Sequence, residues 1–275
     1  MKITAIDKKK FNKYFWILFA SPFAILTVLL ILAATGALGY MPNIEDLENP
    51  QINLASQIIS EDGKILGPFY YQNQNRTYVD YHELPPHLVD ALIATEDIRF
   101  YKHAGIDVRS LFRVAVKTVI LQQKSSGGGS TITQQLAKLL FHSPPSSLLA
   151  RIPQKIKEWI IAIRLEKAYT KEEIIVMYFN QYDYLNQATG IKSAAQIYFS
   201  TVPDSLTIEQ GAMLVGMAKN PAYYNPADSV KRERVLVRRN VVLNQMEKYG
   251  YIDVQTCDSL KAIPIELDFQ RISHN

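Results

Sequence analysis

The chain reads Ala94-Thr-Glu-Asp-Ile-Arg-Phe-Tyr-Lys-His-Ala-Gly105 where an apolar stretch with helical spacing ends, so two carboxylates, a guanidinium and an imidazole fall together. Such neighbours would help Glu96 or Asp97 to act as a general acid or base. The simpler interpretation is that one of these acids caps a helix or pairs with Arg99, and that His103 is a structural hydrogen-bonding residue. Other charged segments of the chain decide between the two.

A second acid, Glu158, ends the basic run Arg151-Ile-Pro-Gln-Lys-Ile-Lys157. Lys155 and Glu158 are three residues apart on a predicted helix and therefore share one edge of it. A solvated ion pair is the default interpretation. Clustered cations repel one another unless an anion joins them, however, so the run also suggests a site for a polyanion such as pyrophosphate. Two carboxylates, each surrounded by cations, suggest sugar chemistry.

A glycine-rich loop precedes a third predicted helix, Ser125-Ser-Gly-Gly-Gly-Ser-Thr-Ile-Thr-Gln-Gln-Leu-Ala-Lys138. Its backbone amides and its lysine could bind a phosphate oxygen, and a flexible loop beside a substrate groove is an equally good interpretation. It is not a P-loop, because the Lys-Ser/Thr after the second glycine is missing. Gln134, Gln135 and Lys138 lie on one helical turn or its neighbour, so their polar ends could converge on a ligand.

Four ordered motifs carry a resemblance to a known family: Glu-Asp-x-x-Phe-x-x-His-x-Gly at 96–105, Gly-Gly-Ser-Thr-Ile-Thr-Gln-Gln-Leu-Ala-Lys at 128–138, Lys-x-x-Glu at 155–158 and Lys-Glu-Glu-Ile-Ile-x-x-Tyr-Phe-Asn at 171–180. They resemble the motifs of the peptidoglycan glycosyltransferases, the lysozyme-like, membrane-anchored domain of class A penicillin-binding proteins and monofunctional transglycosylases. The similarity extends from a hairpin near Ile58 to the segment Arg238-Arg-Asn-Val-Val-Leu-Asn-Gln-Met246.

This resemblance implies an enzyme that polymerises lipid II into β-1,4-linked strands, with inversion and release of undecaprenyl pyrophosphate. Glu96 would be the general base and Glu158 would organise the leaving group. Lys138, Lys155 and Arg151 would meet the pyrophosphate charge. The remaining implied substrate contacts and supports of the site are Ser130, Thr131, Gln134, Gln135, Arg99, Asp97 and His103. We expect no required cofactor and no protein metal site, although a divalent cation such as Mg²⁺ could assist the pyrophosphate.

The chain departs from the family pattern near this site. Gln154 stands where the third motif usually has arginine, and Leu185 and Thr189 stand where glycine and an aromatic are more usual. Two alternatives therefore stay open: a catalytically weakened scaffold of the wall-synthesis machinery, and a lysozyme-like glycan hydrolase. A hydrolase would need neither a pyrophosphate site nor a permanent anchor.

The stretch from Tyr14 to Ile44 has no charged residue, which is enough apolar length to cross a hydrocarbon core of about 30 Å. A cleaved signal peptide is the competing interpretation, but its apolar core is only about 7–15 residues long. The preceding lysines predict a cytoplasmic N-terminus. The expected location is the cell inner membrane, with one span and the catalytic domain facing the periplasm or exterior.

Composition sets the remaining bounds. A chain of 275 residues with 48% hydrophobic content can bury one sizeable core or two small ones, and the single Cys257 excludes an internal disulfide. The net charge of +4 suits a protein beside an anionic membrane better than it suits nucleic-acid binding.

Other cell wall synthesis proteins are expected partners. No Ser-x-x-Lys of the transpeptidase type occurs, so no transpeptidase activity is expected in this chain, and a truncated bifunctional protein is favoured.

The body is predicted to be mostly α, with a hairpin turn at Asp62-Gly63, capping boxes at Thr170 and Thr207, and a long helix from about Val230 to Tyr249. The predicted organisation is a basic tail at 1–13, a transmembrane helix at 14–41, a linker at 42–56, a glycosyltransferase domain at 57–222 and a helical connector at 223–275.

Overall fold

A computed structural model describes residues 8–37, 39, 41–42, 56–59, 65–69, 75–76, 78–117, 128–141, 147 and 150–270. Most of the predicted linker, the turn at Asp62-Gly63 and the start of the glycine-rich loop lie outside these residues.

The described part of the chain is mostly α, which confirms the predicted fold class with one N-terminal apolar helix and agrees with a lysozyme-like domain. Its α-helices, in chain order, are α1 (Lys8–Ala34), α2 (Pro86–Glu96), α3 (Val108–Ala115), α4 (Ile132–Phe141), α5 (Arg151–Ala168), α6 (Lys171–Gln181), α7 (Ile191–Phe199), α8 (Ile208–Met217), α9 (Arg232–Lys248) and α10 (Val254–Ala262).

Two small sheets complete the described part. Strands β1 (Ser56–Ile59) and β2 (Ile65–Phe69) are antiparallel, and Ser56 lies opposite Phe69. This pairing confirms the predicted hairpin. Strand β3 (Asn75–Arg76) pairs in parallel with β4 (Ala188–Thr189), and therefore ties the segment before α2 to the segment before α7.

Helix α1 is long and apolar enough to cross a membrane, because an 18-residue window within Lys10–Ala34 has a mean hydropathy of 2.6. It begins within the predicted basic tail and ends at Ala34, before the predicted bound at 41. Gly36 explains this end, because its φ of +78° is left-handed and stops the helix. Pro22 lacks the amide that would bond the carbonyl of Leu18, and the Ser21 hydroxyl donates to that carbonyl instead, at 3.2 Å.

The core joins two groups of helices. Helix α8 packs against α2 and α9, while α4 packs against α5 and α6, and α1 packs on α5. The core includes the fully buried side chains of Leu88, Leu92, Phe100, Ile132, Leu136, Ile161, Tyr178 and Phe179. This packing brings the end of α2, the start of α4 and the first half of α5 together around one cleft.

Local signals of the sequence set the ends of several helices. The predicted capping box of α6 is present, because Glu173 accepts the backbone N–H of Thr170 at 2.7 Å and donates its own to the Thr170 hydroxyl at 3.2 Å. Helix α9 ends as predicted before Gly250, whose φ is +79°.

Helix α9 also carries a buried cation. Arg239 is buried, and its Nη2 donates to the carbonyls of Leu260, Lys261 and Ile263 at the end of α10, at 3.4, 3.2 and 2.7 Å. This guanidinium satisfies carbonyls that the end of a helix leaves free, so it fixes α10 against α9.

The loop before β4 contains three consecutive left-handed residues. Leu185, Asn186 and Gln187 have φ angles of +63°, +50° and +66°. Glycine adopts this region at no steric cost, whereas a residue with a side chain is strained there. This geometry would suit glycine at the position that Leu185 occupies, as the resemblance implies.

Candidate active site

An open cleft of about 1760 Å³ runs from α1 to α9. It exceeds the roughly 300–1,000 Å³ of an ordinary small-molecule pocket and so has room for an extended substrate. All the predicted site residues line it except Arg99 and His103; those that do are Glu96, Asp97, Ser130, Thr131, Gln134, Gln135, Lys138, Arg151, Lys155 and Glu158.

Glu96 is the last residue of α2, and its side chain is 20% exposed. Its Oε2 accepts a hydrogen bond of 2.9 Å from Nε2 of Gln135, and its Oε1 lies 3.5 Å from Nη2 of Arg238. The hydroxyl of Tyr178 donates to Oε1 of Gln135 at 3.2 Å and thereby fixes the amide. Burial, followed by the negative charge of Glu96, raises the pKa of Tyr178 well above its ordinary value, so this hydroxyl remains a donor.

Asp97 also lines the cleft, and its carboxylate joins two segments of the site. Its two carboxylate oxygens lie 3.1 and 3.0 Å from Nε2 of His103, and Oδ2 accepts the backbone N–H of Ile132 at 3.1 Å. A carboxylate at the start of a helix satisfies a free amide and complements the helix dipole. Asp97 and His103 therefore tie the segment after α2 to the start of α4.

Thr131 and Gln134 use their side-chain donors inside the protein. The Thr131 hydroxyl and the Gln134 amide both donate to the carbonyl of Gly105, at 2.7 and 3.1 Å. A Cβ at Gly105 would lie 2.8 Å from the backbone of Ala162, so only glycine allows this close approach. In this geometry both side chains support the wall of the cleft.

Glu158 lies on the same cleft as Glu96, with its side chain 8% exposed. Its Oε2 accepts a hydrogen bond of 2.9 Å from Lys155, whose Nζ also donates to the Ser130 hydroxyl at 2.8 Å. Lys155 therefore joins α5 to the end of the glycine-rich loop. The buried Gln154 amide lies 3.5 Å from the other oxygen of Glu158, so the residue that departs from the family pattern contacts the acid directly.

Cations dominate the charge of the cleft. Lys138 and Arg151 are exposed, and neither forms an ion pair with a residue that the structure describes. The other lysines and arginines in the lining are Arg113, Lys117, Lys155, Lys219, Arg238 and Lys248. Such a concentration of positive charge suits a polyanionic ligand.

Residues 62–247 match the family model for transglycosylase. The chain belongs to the transglycosylase family. It is 37% identical to penicillin-binding protein 1A of Escherichia coli (strain K12), over 91% of this chain and 29% of that protein. It is 34% identical to penicillin-binding protein 1A of Pseudomonas aeruginosa, over 87% of this chain and 28% of that protein. The chain thus spans less than a third of these relatives.

A crystal structure of penicillin-binding protein 1A from Haemophilus influenzae is also similar to the chain, with 23% identity and a TM-score of 0.42. The similarity covers 80% of this chain and 22% of that one.

Arg99 lies outside the cleft lining of this transglycosylase. Its Nε is 3.4 Å from Oδ2 of Asp107, which caps α3 by accepting the backbone N–H groups of Arg109 and Ser110. Burial favours a raised pKa at Asp107, but the bonds from Ser110 and the charge of Arg99 outweigh it, and the pKa of Asp107 is lowered. Arg99 therefore stabilises the start of α3 through Asp107 and does not line the cleft itself.

Sequence reasoning missed several residues of the transglycosylase cleft. Arg238 is the most important of these, because it approaches Glu96 from a helix 142 residues away along the chain. The motif that contains Arg238 was recognised, but no local pattern indicated which way its side chain points.

The end of the cleft at α1 is apolar. Pro22, Ile25, Leu26 and Leu29 of α1 line the cleft together with Ile152 and Trp159 of α5. The cleft of this transglycosylase therefore changes from charged at the acids to hydrophobic beside the candidate membrane span.

Proposed function

We propose that this transglycosylase polymerises lipid II into β-1,4-linked glycan strands, inverts the anomeric carbon and releases undecaprenyl pyrophosphate. The observation that carries the proposal is that Glu96 and Glu158 line one cleft together with a group of cations and with apolar side chains of α1. A substrate that is at once sugar, diphosphate and lipid matches all three properties of the cleft.

Glu96 is the general base of the proposed reaction. It takes the proton from the 4-hydroxyl of the acceptor sugar, and that oxygen forms a bond to the anomeric carbon of the donor strand. The bond from this carbon to the pyrophosphate oxygen breaks, and the electron pair leaves with the diphosphate. Gln135 orients the Glu96 carboxylate through its 2.9 Å hydrogen bond, so the free lone pairs can point at the incoming hydroxyl.

Lys138, Arg151 and Lys155 stabilise the negative charge that develops on the leaving diphosphate. Glu158 and the Ser130 hydroxyl hold the Lys155 ammonium in place, at 2.9 and 2.8 Å. Arg113 and Lys117 also line the cleft and add to its positive charge. In this proposal these cations meet the charge of the leaving group while Glu96 acts on the incoming hydroxyl.

We propose no required cofactor. A divalent cation such as Mg²⁺ would bind the diphosphate itself, since no group of three or more His, Cys, Asp or Glu side chains that could hold a metal lies in the described ranges. In this proposal α1 spans the inner membrane once with its N-terminus in the cytoplasm, and the catalytic domain faces the periplasm or exterior.

The proposed partners are lipid II, the growing strand, the membrane and other wall-synthesis proteins, with no nucleic acid.

The test is a polymerisation assay with fluorescent lipid II in detergent or liposomes, on the wild-type chain, Glu96→Gln and Glu158→Gln, with and without Mg²⁺. We expect long strands from the wild type and a loss of at least about 100-fold in Glu96→Gln, the usual scale for a general base. Soluble fragments released from finished strands would support a hydrolase. Equal polymerisation by wild type and Glu96→Gln would remove Glu96 from the mechanism, and a wild type that binds partners without polymerising would support a scaffold.

A further inference from the structure

We infer that Arg238 is a positioning residue for Glu96: its guanidinium keeps the carboxylate directed into the cleft. The inference rests on the proposed function, because it assigns a second partner to the proposed base. It also extends the site to α9, a helix far from the motifs that carry Glu96 and Glu158.

The Arg238 side chain is held on both sides. Its Nε donates to the carbonyl of Gly216 in α8 at 3.2 Å, while Nη2 lies 3.5 Å from Oε1 of Glu96. The side chain is only 11% exposed, so little water screens the pair. A Cβ at Gly216 would lie 3.2 Å from Cγ of Arg238, so the glycine leaves room for this orientation.

The two oxygens of Glu96 thereby receive different partners. Gln135 donates to Oε2 and Arg238 faces Oε1, so the plane of the carboxylate is fixed at two points from two helices. An ionised carboxylate has about four acceptor sites, and these two contacts leave lone pairs for a hydroxyl. The remaining exposed part of Glu96 opens into the cleft.

The surroundings of Glu96 make a cation necessary. Tyr178 and Tyr182 lie close enough for the charge of Glu96 to raise the pKa of each, after the larger effect of burial. These neutral rings solvate an anion poorly, and a partly buried carboxylate without a cation would be costly. The long 3.5 Å contact supplies positive charge without the close bidentate pairing that would occupy both oxygens.

A purely structural role is the rival explanation, because Arg238 also connects α8 and α9 through Gly216. The two roles differ in what they change. Loss of a helix contact lowers stability and leaves the chemistry of the folded fraction intact. Loss of a positioning charge lowers kcat while KM for lipid II changes little, since the acceptor binds but the base is misdirected.

The experiment compares Arg238→Met, Arg238→Lys and Gly216→Ala with the wild-type chain in the lipid II assay. We expect Arg238→Met to lower kcat about 30-fold with KM changed less than about twofold. Arg238→Lys keeps the charge and should recover most of this loss. Added guanidinium ion should partly restore Arg238→Met and should not restore Glu96→Gln. Arg232→Met is the matched control, since Arg232 is exposed on the same helix, and its kcat should equal that of the wild type.

Gly216→Ala covers the case in which Arg238→Met does not fold. The added methyl improves helix propensity and would displace Arg238 by a few tenths of an ångström, so kcat should fall about fivefold in a stable protein. The inference is overturned if kcat of Arg238→Met or of Gly216→Ala matches that of Arg232→Met. It is also overturned if neither lysine nor guanidinium ion restores activity. An inactive wild type would instead overturn the proposed function.

Discussion

Nε2 of Gln135 lies 2.9 Å from Oε2 of Glu96, so the first turns of α4 are hydrogen bonded to the acid that ends α2. The same amide accepts the Tyr178 hydroxyl through its oxygen, and it therefore cannot rotate without losing one of the two bonds. The base of the proposed reaction is thus oriented by a neutral side chain as well as by Arg238.

Replacing Gln135 with leucine should lower kcat about 10- to 100-fold, because a hydrogen bond to a charged group contributes about 1.5–3 kcal/mol. The side chains are similar in size, so KM should change little, whereas the melting temperature should fall because the buried Tyr178 hydroxyl loses its acceptor. The measurement is the rate of lipid II polymerisation. Gln196→Leu makes the same change at an exposed position of α7 and should leave the rate unchanged. Equal rates in the two variants would contradict the role of Gln135.

Replacing Lys155 with methionine should reduce both stability and activity. Glu158 would lose its cation at a side chain that is 8% exposed, although Lys155 itself is 34% exposed, so we expect a loss of about 1–2 kcal/mol in unfolding free energy. Polymerisation should fall about 100-fold, since a cation at the leaving group is removed. Lys167→Met, an exposed position of the same helix, is the control for both measurements. A normal rate in Lys155→Met would exclude Lys155 from leaving-group stabilisation.

Asp107 should make the unfolding free energy of the protein fall at acidic pH. Because the pKa of Asp107 is lowered in the folded protein, its contribution is complete above the unfolded value of about 4 and is lost as the pH falls through the folded value. Denaturant unfolding between pH 7 and pH 3 should show this loss in the wild type. Asp107→Asn keeps a helix cap and should flatten the profile, whereas Asp204→Asn, on an exposed acid, should not. Identical profiles in wild type and Asp107→Asn would refute the assignment.

Gln187→Gly should stabilise the protein. Gln187 is exposed with a φ of +66°, a conformation that costs a residue with a side chain about 1–2 kcal/mol. The greater freedom of glycine in the unfolded chain offsets part of this gain, so we expect a net increase of about 0.5–1 kcal/mol by thermal unfolding. Gln196→Gly, inside α7, should destabilise by a similar amount. A lower melting temperature in Gln187→Gly would show that the loop is not strained.

The sequence could predict those parts of the fold and site that depend on neighbouring residues. The spacing of Lys155 and Glu158 on one helix placed them on a shared edge, and a capping box marked the start of α6. The resemblance supplied the other predicted residues that line the cleft, because its motifs name them together. Helix α1 itself ends at Ala34, before Gly36, whose positive φ terminates the helix.

Long-range geometry could not be predicted in this way. The contact between Arg238 and Glu96 depends on how closely α8 and α9 pack, and Gly216 permits that distance without any periodic signal in the sequence. The inward donors of Thr131 and Gln134 depend similarly on the close approach of Gly105 to α5. The family motifs identified these residues. Only the tertiary packing shows that their side-chain donors bond to the protein backbone instead of being free for a ligand.

Adjacent arginines on α9 contact different neighbours. Arg238 points to Glu96, while the buried Arg239 holds the carbonyls at the end of α10. A displacement of α10 would therefore move Arg239, and through α9 it would also move the adjacent Arg238, which contacts Glu96 in the cleft. The orientation of the proposed base therefore depends on the packing of α10, which contacts neither Glu96 nor Gln135 directly in the hydrogen bonds described above.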